Sequence, residues 1–504
     1  MLVQINSAAF LGLEVMPVTI EVSITAGVGV FLVGLPDSAV KESLLRVTTA
    51  LSACGYRMPG RRIVINLAPA DLRKEGTLFD CAIALGILAA SGQIQLSGAA
   101  HFCVWGELGL DGSLRRIPGA LPLAIYAQQA GFEACFFPAS VEEEASLIGG
   151  IRVCGATHLK ELIGWLQVGE YPVRHRELVR ESVLSTQQGD DFQWVVGQAF
   201  AKRGLEIAAA GAHNLLLVGP PGAGKSFMAR CLASILPPMN PTEVLETTKI
   251  YSVAGLDAQL FLQGKRPFRS PHHTASAVSM TGGGMKATPG EMSLAHNGVL
   301  YLDEMIQFSP ALLNELRQPL EERTISIARA RYKVTYPASF MLVASMNPCP
   351  CGYHGDGTDR CTCQEGSIQR YWSRLSGPLL DRIDLQIFVR AVDSRLLVNR
   401  ALEESSASIA ARVAQARERQ HRRFAHEGIH TNSEMNSQQL ARYCPLTTEG
   451  SAFLDKIISR FHLSARAYSR ILKLSRTLAD LEGLEEVLPR HLSEAVGYRC
   501  KDVF

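Results

Sequence analysis

Residues 219–226 read Gly-Pro-Pro-Gly-Ala-Gly-Lys-Ser, and the chain on either side gives that run its meaning. An apolar stretch, NLLLV at 214–218, leads in, and a helical pattern, FMARCLASIL at 227–236, leads out. G-x-x-x-x-G-K-S between a strand and a helix is a phosphate cradle. Gly219, Gly222 and Gly224 let backbone N–H groups converge on phosphate oxygens, Pro220, Pro221 and Ala223 complete the loop, and the helix N-terminus adds positive potential. Lys225 is placed to neutralise the β- and γ-phosphates of ATP, and Ser226 to ligate Mg²⁺.

Three further segments follow in an order that suits the same chemistry. Val299-Leu-Tyr-Leu-Asp-Glu304 is an apolar strand ending in two carboxylates. Asp303 suits the Mg²⁺ shell, and Glu304 can polarise an attacking water. Met341-Leu-Val-Ala-Ser-Met-Asn347 is a second apolar strand, and its terminal amide can hold that water near the γ-phosphate. Gly377-Pro-Leu-Leu-Asp-Arg-Ile-Asp-Leu385 sets Arg382 after a short apolar turn. There it either completes a neighbouring subunit's site in trans or pairs with Asp381 or Asp384.

The 504 residues are enough for two to four domains, and 47% apolar with 19% charged residues is an ordinary globular composition. Net charge is +2, so any nucleic-acid partner must be held by local patches. The start of the chain lacks a secretory pattern, and the longest apolar run, Cys81 to Ala90, is too short to span a bilayer. A cytoplasmic setting without membrane attachment is the expectation. Residues 1–168 alternate β-like runs (31–36, 62–69, 103–108, 134–138) with helices near 38–53 and 118–130. A polar linker covers 169–191, strand and helix alternate over 192–393, and 394–504 reads as mostly helical.

Four of the twelve cysteines, Cys349, Cys351, Cys361 and Cys363, form two C-x-C pairs separated by nine residues. In a reducing compartment clustered cysteines suit a metal better than disulfides, and four thiolates suit a closed structural Zn²⁺ site, with His354 able to replace one sulfur. The other eight cysteines are isolated and read as structural.

The order of P-loop, L-D-E strand, strand-end Asn and L-L-D-R-I-D resembles AAA+ ATPases. RPFRSPHHTAS (266–276), PGEMSLAHNGVLYLDE (289–304), NPCPCG (347–352), GLPDSAVKES (34–43), INLAPADLRKEG (65–76) and LSARAYSRILKLSRTLADL (463–481) are similar to the magnesium-chelatase-like branch, and within it to the YifB/ComM group. The resemblance implies an α/β AAA+ P-loop core with a C-terminal helical lid, preceded by a ribosomal-S5/Lon-protease-like α/β domain. It implies Glu304 as catalytic carboxylate, Asn347 as first sensor, Arg382 as trans finger and Arg466 as second sensor, with Arg470 the rival. The 75–88 segment offers no serine at the helix entrance, and the helix after Leu114-Arg-Arg-Ile-Pro-Gly-Ala-Leu-Pro carries no lysine, so the amino-terminal domain is expected to be non-proteolytic.

The group also implies a homo-hexameric ring acting on DNA during natural transformation, with branch migration as output; a chelatase-type remodeller of a protein partner is the alternative. Two segments are candidates for DNA contact. MTGGGMKATPG (280–290), carrying Lys286, looks like the branch's inserted hairpin. In ISIARARYKVTYP (325–337), Arg329, Arg331 and Lys333 alternate and are expected on one strand face, a basic collar when repeated around a ring. Tyr332 and Tyr336 are expected to pack on the other face. His272 and His273 read as buried structural residues, pore or nucleotide contacts, or metal ligands. The basic helix at 411–424 reads as solvated lid surface.

Overall fold

A computed structural model describes residues 2–74, 76–96, 99–172, 190–284, 287–329, 332–391, 402–461 and 464–499. The amino-terminal part is a seven-stranded mixed sheet in the order Gly29–Val33, Arg62–Ala68, Glu14–Thr25, Leu2–Leu11, Phe102–Val104, Ala134–Pro138, Arg152–Ala156. Its two longest strands pair antiparallel from Leu2 opposite Ser23 to Leu11 opposite Glu14, joined by Gly12-Leu13 with Gly12 at φ 64°. The apolar run seen in the sequence is the helix Asp80–Ala90, every residue of which is buried. A helix apolar all round needs cover on all sides, and here strands Leu2–Leu11 and Glu14–Thr25 and helix Ser38–Ala53 provide it. Asp37 caps that last helix, accepting from Val40 N at 2.8 Å.

The second sheet has five parallel strands: Phe268–Arg269, Val299–Leu302, Met341–Met346, Leu215–Val218, Leu385–Phe388. Leu215–Val218, Val299–Leu302 and Met341–Met346 are buried at every position, as expected of central parallel strands covered on both faces. Their carboxyl ends lie side by side, and there the P-loop, Asp303 and Asn347 emerge. Ligands in such sheets bind beyond the carboxyl ends of the strands.

Helices Ser406–Arg423, Ser437–Tyr443, Thr448–Phe461, Ala465–Glu482 and Pro489–Gly497 form the carboxy-terminal part. Its apolar face is continuous with one face of the parallel sheet. The arginine-rich helix Ser406–Arg423 is less solvated than its composition suggests. Arg417 donates twice to the Ala209 carbonyl (3.1 and 2.9 Å), and Arg423 pairs with the fully buried Asp480.

Among the described residues, two contacts join the amino-terminal part to the parallel-sheet part most clearly. Helix Ala120–Gln129 packs on helix Pro241–Ala254, where Gly119 N donates to Ser252 O (2.9 Å) and Ser252 Oγ to the buried Glu144. At Gly12 the turn touches Val334: a Cβ there would lie 2.2 Å from Val334 Cγ1, and Leu11 and Leu13 join the same apolar cluster.

Candidate nucleotide site and a second arginine face

Leu215–Val218 delivers Gly219 into close quarters, where a Cβ would meet the Val389 carbonyl at 2.2 Å. Gly222 and Gly224 turn at φ 77° and 84°, a region only glycine enters freely, with open space where side chains would stand. Helix Lys225–Ile235 starts at once. Lys225 Nζ donates to Gly219 O (2.7 Å), Pro220 O (2.9 Å) and Asn347 Oδ1 (3.2 Å). Burial lowers its pKa against the opposing pull of Asp303 and Glu304.

Asp303 is held from three sides. Ser226 Oγ donates to its Oδ2 at 2.9 Å, Ser345 Oγ to its Oδ1, and Glu304 N to Oδ1 at 3.1 Å. Burial opposes ionisation, but these donors together hold the carboxyl below its ordinary range. The Ser226–Asp303 pair is the donor set a small hard cation requires. Glu304 takes a left-handed backbone, φ 49°, and is exposed, so the two adjacent carboxylates diverge: one toward Ser226, the other toward solvent. The open glycine cradle, inward ammonium and hydroxyl–carboxylate pair fit a Mg²⁺–triphosphate.

Ser345 escaped the sequence reading. It lies two residues before Asn347, and alternation along a strand puts both on the same side. That spacing was the available signal. Tyr301 OH donates to Ser345 Oγ at 3.2 Å, extending the chain of hydroxyls behind Asp303.

Arg382 and Arg466 are not part of this constellation in a single chain. Arg382 is a buried residue, its side chain 5% exposed, and it pairs with Glu321 rather than with Asp381 or Asp384. Its Nε finds no hydrogen-bond partner among the described residues. Arg466 Nη2 lies 3.5 Å from the same Glu321 oxygen, and its side chain is 58% exposed. Hydrogen bonding from Arg382, then the charges of both arginines, holds the Glu321 carboxyl below its ordinary range. Arg470 is committed elsewhere, to the buried Asp384. Asp384 also faces His213 Nδ1 (3.3 Å), whose Nε2 meets Thr477 Oγ1 at 2.8 Å, so a buried polar string ties the strand Leu385–Phe388 to helix Ala465–Glu482. A polar cleft of about 1030 Å³ opens here, with Glu321, Asp384, Arg417, Arg466, Arg470 and Lys473 among its lining and none of residues 219–226.

The basic hairpin differs from expectation. Strands Thr324–Arg329 and Tyr332–Pro337 pair antiparallel, with Ala328 opposite Lys333 and Arg329 opposite Tyr332. The chain therefore reverses between Arg329 and Lys333, and these two positions fall on opposite faces of the hairpin rather than on one. Lys333 is exposed; Arg331 lies outside the described residues, as does Lys286. Tyr336 is fully buried, as expected of a packing residue. Gly282–Gly283 pairs with Thr288–Pro289 as a short hairpin. His272 is exposed, against the buried structural reading, and its ring lies 4.1 Å from that of the half-buried His273, tilted by 36°.

The four clustered cysteines converge: their Sγ atoms all lie within 4.8 Å of one another, with Cys349 buried and the rest half-buried. Those separations, 3.3 Å from Cys349 to Cys351 and 3.6 Å from Cys351 to Cys361, suit four thiolates on one tetrahedral ion. The remaining described cysteines are free and buried; Cys500 lies outside the described residues. Among the described residues no helix is long and apolar enough to cross a membrane.

A five-stranded parallel sheet with a P-loop, an acidic strand end and a helical carboxy-terminal region defines an AAA+ P-loop protein. Family profiles agree. Residues 191–397 match magnesium chelatase subunit ChlI, 20–141 match subunit ChlI of Mg-chelatase, and 403–499 match its C-terminal region. The protein YifB of Salmonella typhimurium is 42% identical over 99% of this chain and 97% of its own. Competence protein ComM of Haemophilus influenzae is 42% identical over 98% of this chain and 97% of its own. More distantly, DNA replication licensing factor mcm6 of Dictyostelium discoideum is 24% identical over 59% of this chain and 32% of its own. The chain belongs to the YifB/ComM family of magnesium-chelatase-like AAA+ proteins.

Proposed function

We propose that this protein is an ATP-driven DNA motor that works as a homo-hexameric ring in the cytoplasm and promotes branch migration while incoming DNA is integrated. The observation that carries this reading is the division of hydrolytic residues between two places on one chain. Lys225, Ser226, Asp303, Glu304 and Asn347 gather at the strand ends, while Arg382 and Arg466 gather on Glu321. A ring brings the second set of one copy to the first set of the next.

In this reading Lys225 and the P-loop backbone hold the triphosphate, and Ser226 and Asp303 hold Mg²⁺. When bound, Mg²⁺ held by these residues would supply positive charge against the charge developing on the phosphates. Glu304 polarises water, Asn347 positions it, and Arg382 of the adjoining copy meets the transferred charge. Arg470 is spent on Asp384, which favours Arg466 as the second sensor. Cys349, Cys351, Cys361 and Cys363 hold a structural Zn²⁺. Residues 1–168 form a non-proteolytic domain, 169–191 a linker, 192–393 the ATPase core and 394–504 the lid.

A relative named for competence and another named for DNA replication favour DNA as the partner. Lys333 and Arg329, on the two faces of the hairpin, with Arg331 and Lys286, are then the residues proposed to meet its phosphates. The test is the ATPase rate with single-stranded and branched DNA, followed by a junction-migration assay. Stimulation that disappears on substituting Arg329 and Arg331 supports the motor; a rate indifferent to every DNA structure sinks it. The match to magnesium chelatase favours a second reading, a remodeller of a protein partner, and that indifferent rate would support it.

A further inference from the structure

We infer that a zinc ion on Cys349, Cys351, Cys361 and Cys363 sets the affinity of the nucleotide site, acting through Gly352 seated against the P-loop residue Pro221. The inference rests on the zinc and nucleotide readings above and adds a coupling between them.

The strand Met341–Met346 runs straight into both functions. Asn347 accepts from Lys225, and Cys349, two residues on, is the first thiol of the cluster. After Cys351 the chain turns at Gly352, φ 89°, closed by Gly352 N donating to Cys349 O at 3.0 Å. This turn is pressed on the cradle. A Cβ at Gly352 would lie 2.8 Å from Pro221 Cδ, 3.0 Å from Pro221 Cγ and 3.9 Å from the Asn347 side chain. The far end of the cluster is anchored as well. Cys361 and Cys363 lead into helix Glu365–Trp372, and Trp372 Nε1 returns to donate to Pro348 O at 2.9 Å. Midway, Gly355 faces the ring of Phe388, on the strand next to the P-loop strand: a Cβ there would lie 3.6 Å from Phe388 Cζ.

A polar, glycine-containing loop has little apolar surface to hold it in place, so a metal cross-link is what fixes it. Four thiolates this close repel one another until a cation neutralises them. With zinc bound, Gly352 is a fixed wall behind Pro221, and the P-loop N–H groups are held ready for phosphate. Without zinc the wall loosens, and the nucleotide must pay the ordering cost itself. Linkage then requires the reverse effect: bound nucleotide must tighten zinc by the same factor.

The experiment uses the full-length protein and a fluorescent ATP analogue with Mg²⁺ present, before and after stripping with a zinc-selective chelator. Nucleotide Kd is expected to rise about tenfold on stripping and to recover on adding zinc. In competition with a chromogenic chelator, saturating nucleotide should raise zinc affinity by a matching factor. Gly352→Ala keeps all four ligands but forces a methyl toward Pro221, so it should weaken nucleotide while zinc content stays at one per chain. Because Cys361→Ser removes a ligand and with it the loop's cross-link, the wild-type competition experiment carries the decision. Zinc bound stoichiometrically but with nucleotide affinity unchanged on its removal overturns the coupling and leaves the zinc site standing. A protein that takes up no zinc overturns the zinc reading, and this inference with it.

Discussion

The P-loop site and the arginine face are built by opposite means. The first is assembled by neighbouring strands of one sheet, so three short loops meet because their strands are already paired. The second draws Glu321, Arg382 and Arg466 from a core helix, a turn and a carboxy-terminal helix that share no hydrogen-bond ladder, and two charge contacts bring them together. A site made by a sheet is fixed in the single chain. A site made by ion pairs on a cleft can exchange partners, which is what a contact between subunits needs.

The strongest way to break this contrast is to disable the two places separately. Lys225→Ala is expected to abolish nucleotide binding and turnover together. Arg382→Ala should lower turnover about 1,000-fold with nucleotide affinity retained, as for trans arginines in related chemistry. Mixing the two inactive proteins should restore part of the rate, because some interfaces then pair an intact P-loop with an intact arginine. If the mixture stays as inactive as its components, both places serve one chain and the division proposed above is wrong.

Glu304→Gln comes next. It keeps the shape and removes the proposed base, so turnover should fall by about 100-fold or more while a fluorescent nucleotide still binds. A normal rate would remove Glu304 from the mechanism. Glu321→Ala probes the second face alone. It strands the buried Arg382 guanidinium, at a cost of about 1–3 kcal/mol read in denaturant unfolding, and should leave nucleotide affinity untouched. An altered affinity would mean that the two faces already communicate inside one chain.

The smallest effect concerns pH. Burial lowers the pKa of His213 from its ordinary 6.5, against the pull of Asp384, so folding favours the neutral ring. A group depressed on folding contributes stability that is complete above pH 6.5 and is lost as pH falls below it. The thermal midpoint should therefore drop between about pH 7 and pH 5.5, and His213→Asn should flatten that slope. An unchanged slope in the variant would assign the drop to other groups.

Much of the first site was legible in the chain because each piece is contiguous and its chemistry is local. The run 219–226 and the pair Asp303-Glu304 declare themselves, and Asn347 follows from their order. Ser345 was missed although it stands within the same strand, since a serine two residues before Asn347 looks like filler until its partner Asp303 is seen. The second face was legible only in part. Arg382 and Arg466 could be singled out, but nothing near either names Glu321 as their common partner, and only packing decides that Asp384 takes Arg470. The hairpin shows a different failure. An alternation of basic residues predicts one face only while the strand continues, and here the chain reverses between Arg329 and Lys333.

The touch of Gly12 on Val334 has a mechanical consequence. Val334 lies beside Lys333 on the hairpin proposed to meet DNA, and Gly12 is the tip of the longest antiparallel pair in the amino-terminal sheet. The seam is apolar, so it resists separation without fixing direction. A load on the hairpin must therefore either travel up a stiff two-stranded lever into the first domain or shear Leu11 and Leu13 off their seat. The hairpin leans on a neighbouring fold, and any movement it makes in the proposed DNA contact would be set partly by residues at the opposite end of the sequence from the carboxy-terminal helices.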